Sequence, residues 1–142
     1  MKTPFASLCR LHDWEVREQQ RLLSQLRQQQ QALQAALQAL AREVAAEQRF
    51  AAEQPLDAGV SLAAYVRAAA ARRADLEKRL AELTAADEQQ QEVLRAAYGE
   101  LKRAEILSER ARADAARKRD DETAKELDDL SGTRRGTRDA AA

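Results

Sequence analysis

The chain has 142 residues, with 24 Lys and Arg against 24 Asp and Glu, so its formal charge is zero. Aromatic residues make up 4%, and there are only 4 Gly and 2 Pro, which argues against a β-sheet domain and against a large compact core. Much of the hydrophobic 44% is alanine, which removes little apolar area from water, and an Ala, Gln, Glu, Arg and Leu mixture of this kind points to long helices or a coiled coil.

Thr3 and Pro4 form a helix-start signal, with a hydroxyl able to cap and a proline where a missing N–H costs nothing. A first helix is predicted over about residues 4–53. Its apolar residues recur at three- and four-residue steps along two lines: Cys9, Val16, Leu23, Gln30, Leu37, Val44, and Phe5, His12, Gln19, Leu26, Leu33, Leu40. A seven-residue repeat kept over this length predicts a left-handed supercoil against a partner helix. Gln19 and Gln30 interrupt the seam. They read either as register-setting amides or as positions in a loosely packed, partly wet seam.

Residues 54–61 hold Pro55 and Gly59, break the repeat and read as a connector. Ser61 is the predicted cap of a second helix over about residues 62–130. Its lines are Val66, Arg73, Leu80, Asp87, Leu94, Leu101 and Leu62, Ala69, Leu76, Leu83, Gln90, Ala97, Ala104. A short connector between long amphipathic helices predicts an all-α fold, an antiparallel two-helix coiled-coil hairpin. Pairing Glu53 beside Leu62 brings Phe5 near Arg110 and leaves the helix beyond about Ala111 as an overhang. Gly132 is the predicted stop, and residues 131–142 are expected to be a disordered tail.

The search for chemistry is mostly negative. The glycines stand apart at 59, 99, 132 and 136, so no phosphate-binding loop is present. A single Cys9 and a single His12 exclude an internal disulfide and a His/Cys zinc site. Acidic neighbours such as Asp120 and Asp121 point about 100° apart on a helix and form no catalytic dyad. No enzyme activity, cofactor or metal is expected. No apolar run reaches the ~18 to 20 residues of a membrane span, and the first residues lack a secretory pattern, so no membrane insertion and a cytoplasmic location are expected.

Arg110, Arg112, Arg117, Lys118 and Arg119 cluster on the overhang, followed at once by Asp120, Asp121 and Glu122. The cluster reads as a contact for an acidic partner surface, or as a solvated face with compensating ion pairs. Nucleic acid is not expected as a partner, because no aromatic ring lies within the cluster to stack on bases. Trp14 and Tyr98 lie off the seam lines, as partner anchors or as flank packing. Gly99 reads as a hinge or as a tolerated exposed glycine.

Leu62-Ala63-Ala64-Tyr65 at the opening of the second helix, Leu76-Glu77-Lys78, and the charged run from Arg110 through Lys125-Glu126-Leu127-Asp128-Asp129 together resemble the flagellar FliJ family, over Phe5 to about Leu130. The resemblance implies a soluble, non-enzymatic part of the flagellar type III export apparatus, held at the inner face of the cell membrane at the flagellar base; the hairpin reading makes the free chain a monomer, against a runner-up in which the two long helices open and pair between chains as a dimeric scaffold. The end carrying both termini would enter the hexameric ring of the export ATPase and stimulate it, bridging it to the membrane export gate and to export chaperones. Carried over by position, the export-gate contact falls on Tyr65, Ala69, Arg72 and Leu76; the length mismatch, which leaves the basic overhang without a partner helix, assigns the ATPase contact to Phe5, Leu8, Arg110, Arg112, Arg117, Lys118 and Arg119. Arg72 departs from the small apolar residue of the family pattern, and Ala69 and Leu76 also fall on the seam line. Injectisome stalk proteins have the same architecture, and a generic coiled-coil adaptor or scaffold is the remaining alternative.

Overall fold

The computed structural model describes residues 4–54 and 58–140. It is all-helical, with two long helices packed together: α1, Pro4–Glu53, and α2, Ala58–Ala140. Pro4 begins α1 as the sequence predicts, while the capping expectation for Thr3 falls outside the described residues. At the other end of α1 the Gln54 amide donates to the Ala51 carbonyl at 3.4 Å, tightening the last turn. The next residue, Pro55, disfavours helical backbone at the position before it, which fits the end of α1.

Two boundaries differ from the sequence expectation. α2 begins at Ala58, so Ser61 lies inside the first turn, exposed, and does not cap the helix. Gly59 disfavours helix by about 1 kcal/mol relative to alanine but does not forbid it. α2 also runs through Gly132 and Gly136 to Ala140, where a disordered tail was expected. Thr133 and Thr137 donate their hydroxyls to the carbonyls of Asp129 (2.8 Å) and Thr133 (3.0 Å), a local bond compatible with helical backbone. Arg138 in the last turn suits the negative end of the helix dipole.

The chain groups into two compact units, Val16–Ala97 and the pair of segments Met1–Glu15 and Tyr98–Ala142. In Val16–Ala97 the core is Leu40, Ala69 and Leu76, with Leu33, Ala36, Leu37 and Val44 packed on it. In the other unit Ala104 and Ser108 are buried, and Phe5, Leu8, Cys9 and His12 are half-buried.

The heptad lines correspond closely to burial. Every residue of the two α1 lines is buried or half-buried, and so is every residue of the two α2 lines except Arg73, which is exposed and paired with Glu77 at 2.9 Å. Burial of small side chains yields little transfer energy, so contact along many successive turns substitutes for a deep core.

Candidate interaction surface

Within Val16–Ala97 the buried and half-buried polar residues of the seam lines are bonded across the helices. Gln90 donates its side-chain amide to both Oε1 (2.6 Å) and the backbone carbonyl (3.1 Å) of Gln19. Gln30 donates to the Leu83 carbonyl at 3.2 Å. Arg27 Nε lies 3.3 Å from Asp87 Oδ2, and Gln91 donates to Asp87 Oδ1 at 2.5 Å. Asp87 is only 7% exposed. A buried carboxylate without partners would be costly, and here the charge has both an opposite charge and an amide. Of the two readings of Gln19 and Gln30, these bonds favour the register-setting one. The sequence lines marked Asp87 but not its partner, because Arg27 lies off the α1 lines and the pairing depends on how the two helices meet.

The four residues aligned with an export-gate contact are divided by the packing. Ala69 and Leu76 belong to the core of Val16–Ala97, Tyr65 is half-buried, and Arg72 is exposed. Two of the four therefore face α1 and are not an accessible stripe. The physical reason lies in the spacing: an i, i+4, i+7, i+11 row alternates between two heptad columns, and Ala69 and Leu76 fall on the seam line packed against the partner helix while Tyr65 and Arg72 lie on the column beside it.

The residues expected to contact the ATPase fall in the other unit. Phe5 and Leu8 are half-buried, while Arg110, Arg112, Arg117, Lys118 and Arg119 are all exposed. A shallow concavity lined by Ala6, Cys9, Glu105, Ser108, Glu109 and Arg112 lies at the start of this basic cluster. Arg117 pairs with Asp114 at 2.8 Å, one turn back on the same helix. Thr123 donates to the Arg119 carbonyl at 2.8 Å. Ala111 and Ala115 are half-buried, and from Ala116 through Arg138 every residue is exposed, including Leu127 (60%) and Leu130 (62%). The overhang foreseen from the difference in helix lengths thus appears as a run of exposed helix starting a few residues later than expected.

Trp14 is 61% exposed, and Tyr98 is exposed too, so neither ring is hidden in a flank. Gly99 is exposed in mid-helix, and a Cβ built there meets nothing within 4 Å, so no close approach requires glycine at this position. On α1, Glu18 accepts from Arg21 one turn on, and that hydrogen bond holds the Glu18 carboxyl below its usual range. His12 Nδ1 lies 3.2 Å from Glu15 Oε2.

Among the described residues, no three His, Cys, Asp or Glu side chains are grouped to hold a metal ion, and no helix is long and apolar enough to cross a membrane. Comparison with known proteins finds no match: no family model, no curated protein and no solved structure matches the chain.

Proposed function

We propose that this chain is a non-enzymatic, stalk-like coupling component of the flagellar type III export apparatus, an antiparallel coiled-coil hairpin that engages the export ATPase ring and links it to the export gate and export chaperones. The observation that carries the reading is the run of wholly exposed helix from Ala116 to Arg138, entered through the basic cluster and belonging to the same compact unit as Phe5 and Leu8. A slender helix with exposed long cations suits contact with a ring that changes shape as it turns over, because exposed ion pairs contribute only ~0.2 to 1 kcal/mol each and exchange readily.

The antiparallel arrangement is supported by the partners within Val16–Ala97. Gln19 meets Gln90, Arg27 meets Asp87 and Gln30 meets Leu83, so rising numbers on α1 meet falling numbers on α2. Burial at three- and four-residue steps over the length of α1 supports the coiled-coil reading. The location that goes with this role is the cytoplasm, peripheral to the membrane at the flagellar base.

The test is reconstitution with the flagellar export ATPase of the same organism. Wild-type chain raises the rate of ATP hydrolysis, and the combined variant Arg112→Glu, Arg117→Glu, Arg119→Glu lowers that stimulation while helix content and thermal unfolding stay nearly unchanged. Stimulation that persists in this variant but disappears in Tyr65→Ala moves the ATPase contact to the connector end. A generic coiled-coil adaptor, or an injectisome stalk, is the second reading. The adaptor is favoured by one observation, the burial of Ala69 and Leu76, which removes half of the aligned gate contact from the surface. No effect of the wild-type chain on the ATPase would establish it over the first.

A further inference from the structure

The exposed end of α2 is divided by charge. Residues 110–119 hold five basic side chains and one acidic, whereas residues 120–130 hold six acidic and one basic. The same stretch carries a stripe at heptad spacing: Ala113, Ala116, Asp120, Thr123, Leu127 and Leu130. All six are exposed, and the two leucines, bare on a single helix, are the large apolar side chains of the segment. Small residues thus occupy the basic half of the stripe and large ones the acidic half.

We infer that this segment is a self-complementary interface, on which α2 of a second copy of this chain docks antiparallel and in which Leu127 and Leu130 of each copy lie against Ala116 and Ala113 of the other. Charge decides the direction. A parallel pair would set the basic half against the basic half and the acidic half against the acidic half. An antiparallel pair sets the basic half of each copy against the acidic half of the other at both ends, with the acidic turn at residues 120–122 meeting itself only at the centre, and the two-fold axis makes every favourable pairing occur twice. Size decides the register. With Ala113 opposite Leu130 and Ala116 opposite Leu127, each leucine meets a small residue, so the helices approach closely and four leucines leave water in one dimer.

In this register the central layer sets Asp120 of one copy against Thr123 of the other, at hydrated positions of a narrow contact. Arg119 and Glu126 flank the seam on the same side and face each other across it, the positions at which interhelical ion pairs select partner and direction. The interface is small, with two leucines per copy and ion pairs at its rim, so it forms a weak, salt-sensitive dimer that appears as the chain becomes concentrated. This inference is independent of the export reading, since it concerns only the chain with itself. It adds that a self-paired segment is closed to any other partner.

The experiment is sedimentation equilibrium of the full chain up to about 1 mM, at about 20 mM and about 500 mM salt, across which screening shortens from tens of ångströms to a few. A dimer is expected at low salt, weakened at least ~10-fold at high salt. Arg112→Glu, Arg117→Glu, Arg119→Glu makes the whole segment acidic, and Asp121→Lys, Glu122→Lys, Glu126→Lys makes it basic. Each variant alone is expected to lose at least ~10-fold in self-association, and an equimolar mixture to recover it as a heterodimer, with circular dichroism verifying that helix content is retained.

Direction is read by disulfide formation in a Cys9→Ser background. Chains carrying Ala116→Cys and chains carrying Leu127→Cys are expected to cross-link to each other, and Ala116→Cys chains not to themselves. A monomer at all concentrations in low salt, a dimer indifferent to both charge reversals, or efficient Ala116→Cys self-cross-linking would overturn the proposal. ATPase stimulation plays no part in these readouts, so failure here and failure of the export reading are separately visible.

Discussion

Gln90 reaches back across 71 residues of sequence to Gln19, giving its side-chain amide to both the Oε1 and the backbone carbonyl of that residue at 2.6 and 3.1 Å. An amide in a helix seam is costly unless bonded, and here one donor group meets two acceptors on the facing helix. A shift of α2 by one turn would separate the two side chains, so the pair favours one alignment over its neighbours.

The first prediction concerns that pair. Gln90→Ala is expected to lower unfolding free energy by about 1 kcal/mol, the usual net value of a hydrogen bond. Replacing both Gln19 and Gln90 with leucine is expected to raise the denaturation midpoint and broaden the alignment, as buried polar residues trade stability for register. Urea unfolding measures the first effect. Spin-label distances between the helices measure the second, and a single narrow distance distribution in the double variant would remove the register role.

Asp87 and Arg27 should respond unequally. Arg27 sits largely in solvent while Asp87 is buried, so Arg27→Leu leaves a poorly compensated carboxylate and is expected to cost more than Asp87→Leu, which removes the buried charge and adds apolar contact. Thermal unfolding at pH 7 ranks the two. Equal losses would mean that Gln91 alone is enough to hold the carboxylate.

Leucines at opposite ends of the burial scale separate core from surface. Leu40→Ala and Leu76→Ala are each expected to cost about 2 to 5 kcal/mol, whereas Leu127→Ala and Leu130→Ala in dilute monomer should stay within about 0.5 kcal/mol of wild type. Chemical denaturation at micromolar concentration distinguishes the two groups.

Gly99→Ala fills open space on an exposed helix and is expected to raise stability by up to about 1 kcal/mol, since alanine is the better helix former and nothing stands within 4 Å of the new Cβ. A destabilised Gly99→Ala chain would show that backbone bending at this position, and not straight helix, is what the folded state needs.

Glu18 gives the pH dependence. Its folded carboxyl is held below the ordinary range by the Arg21 hydrogen bond, so its contribution is present above the unfolded carboxyl value of about 4.3 and is lost as pH falls through the depressed folded value. The unfolding midpoint of Glu18→Gln is therefore expected to lie slightly below wild type at pH 7 and to converge with it in strong acid. A gap that persists or widens on acidification would contradict the sign.

Helix, seam and exposed end were legible in the residues themselves because each depends on local pattern. Pro4 starts α1, the heptad lines from Phe5 to Val44 coincide with burial, and the lines of α2 run out of large apolar residues after Leu101, which foretells the exposed stretch. Other features needed the second helix in place. Residue type alone leaves Ala69 and Leu76 equally suited to a core or to a partner's contact stripe, and only packing against Leu33, Leu37 and Val44 assigns them to the core. The partner of Asp87 likewise could not be read from spacing, because Arg27 lies 60 residues away and off the seam lines. Helical periodicity reports which face of a segment is apolar. Which residues meet across that face depends on the relative shift of two helices, a quantity set by the summed contacts of both and carried by neither alone.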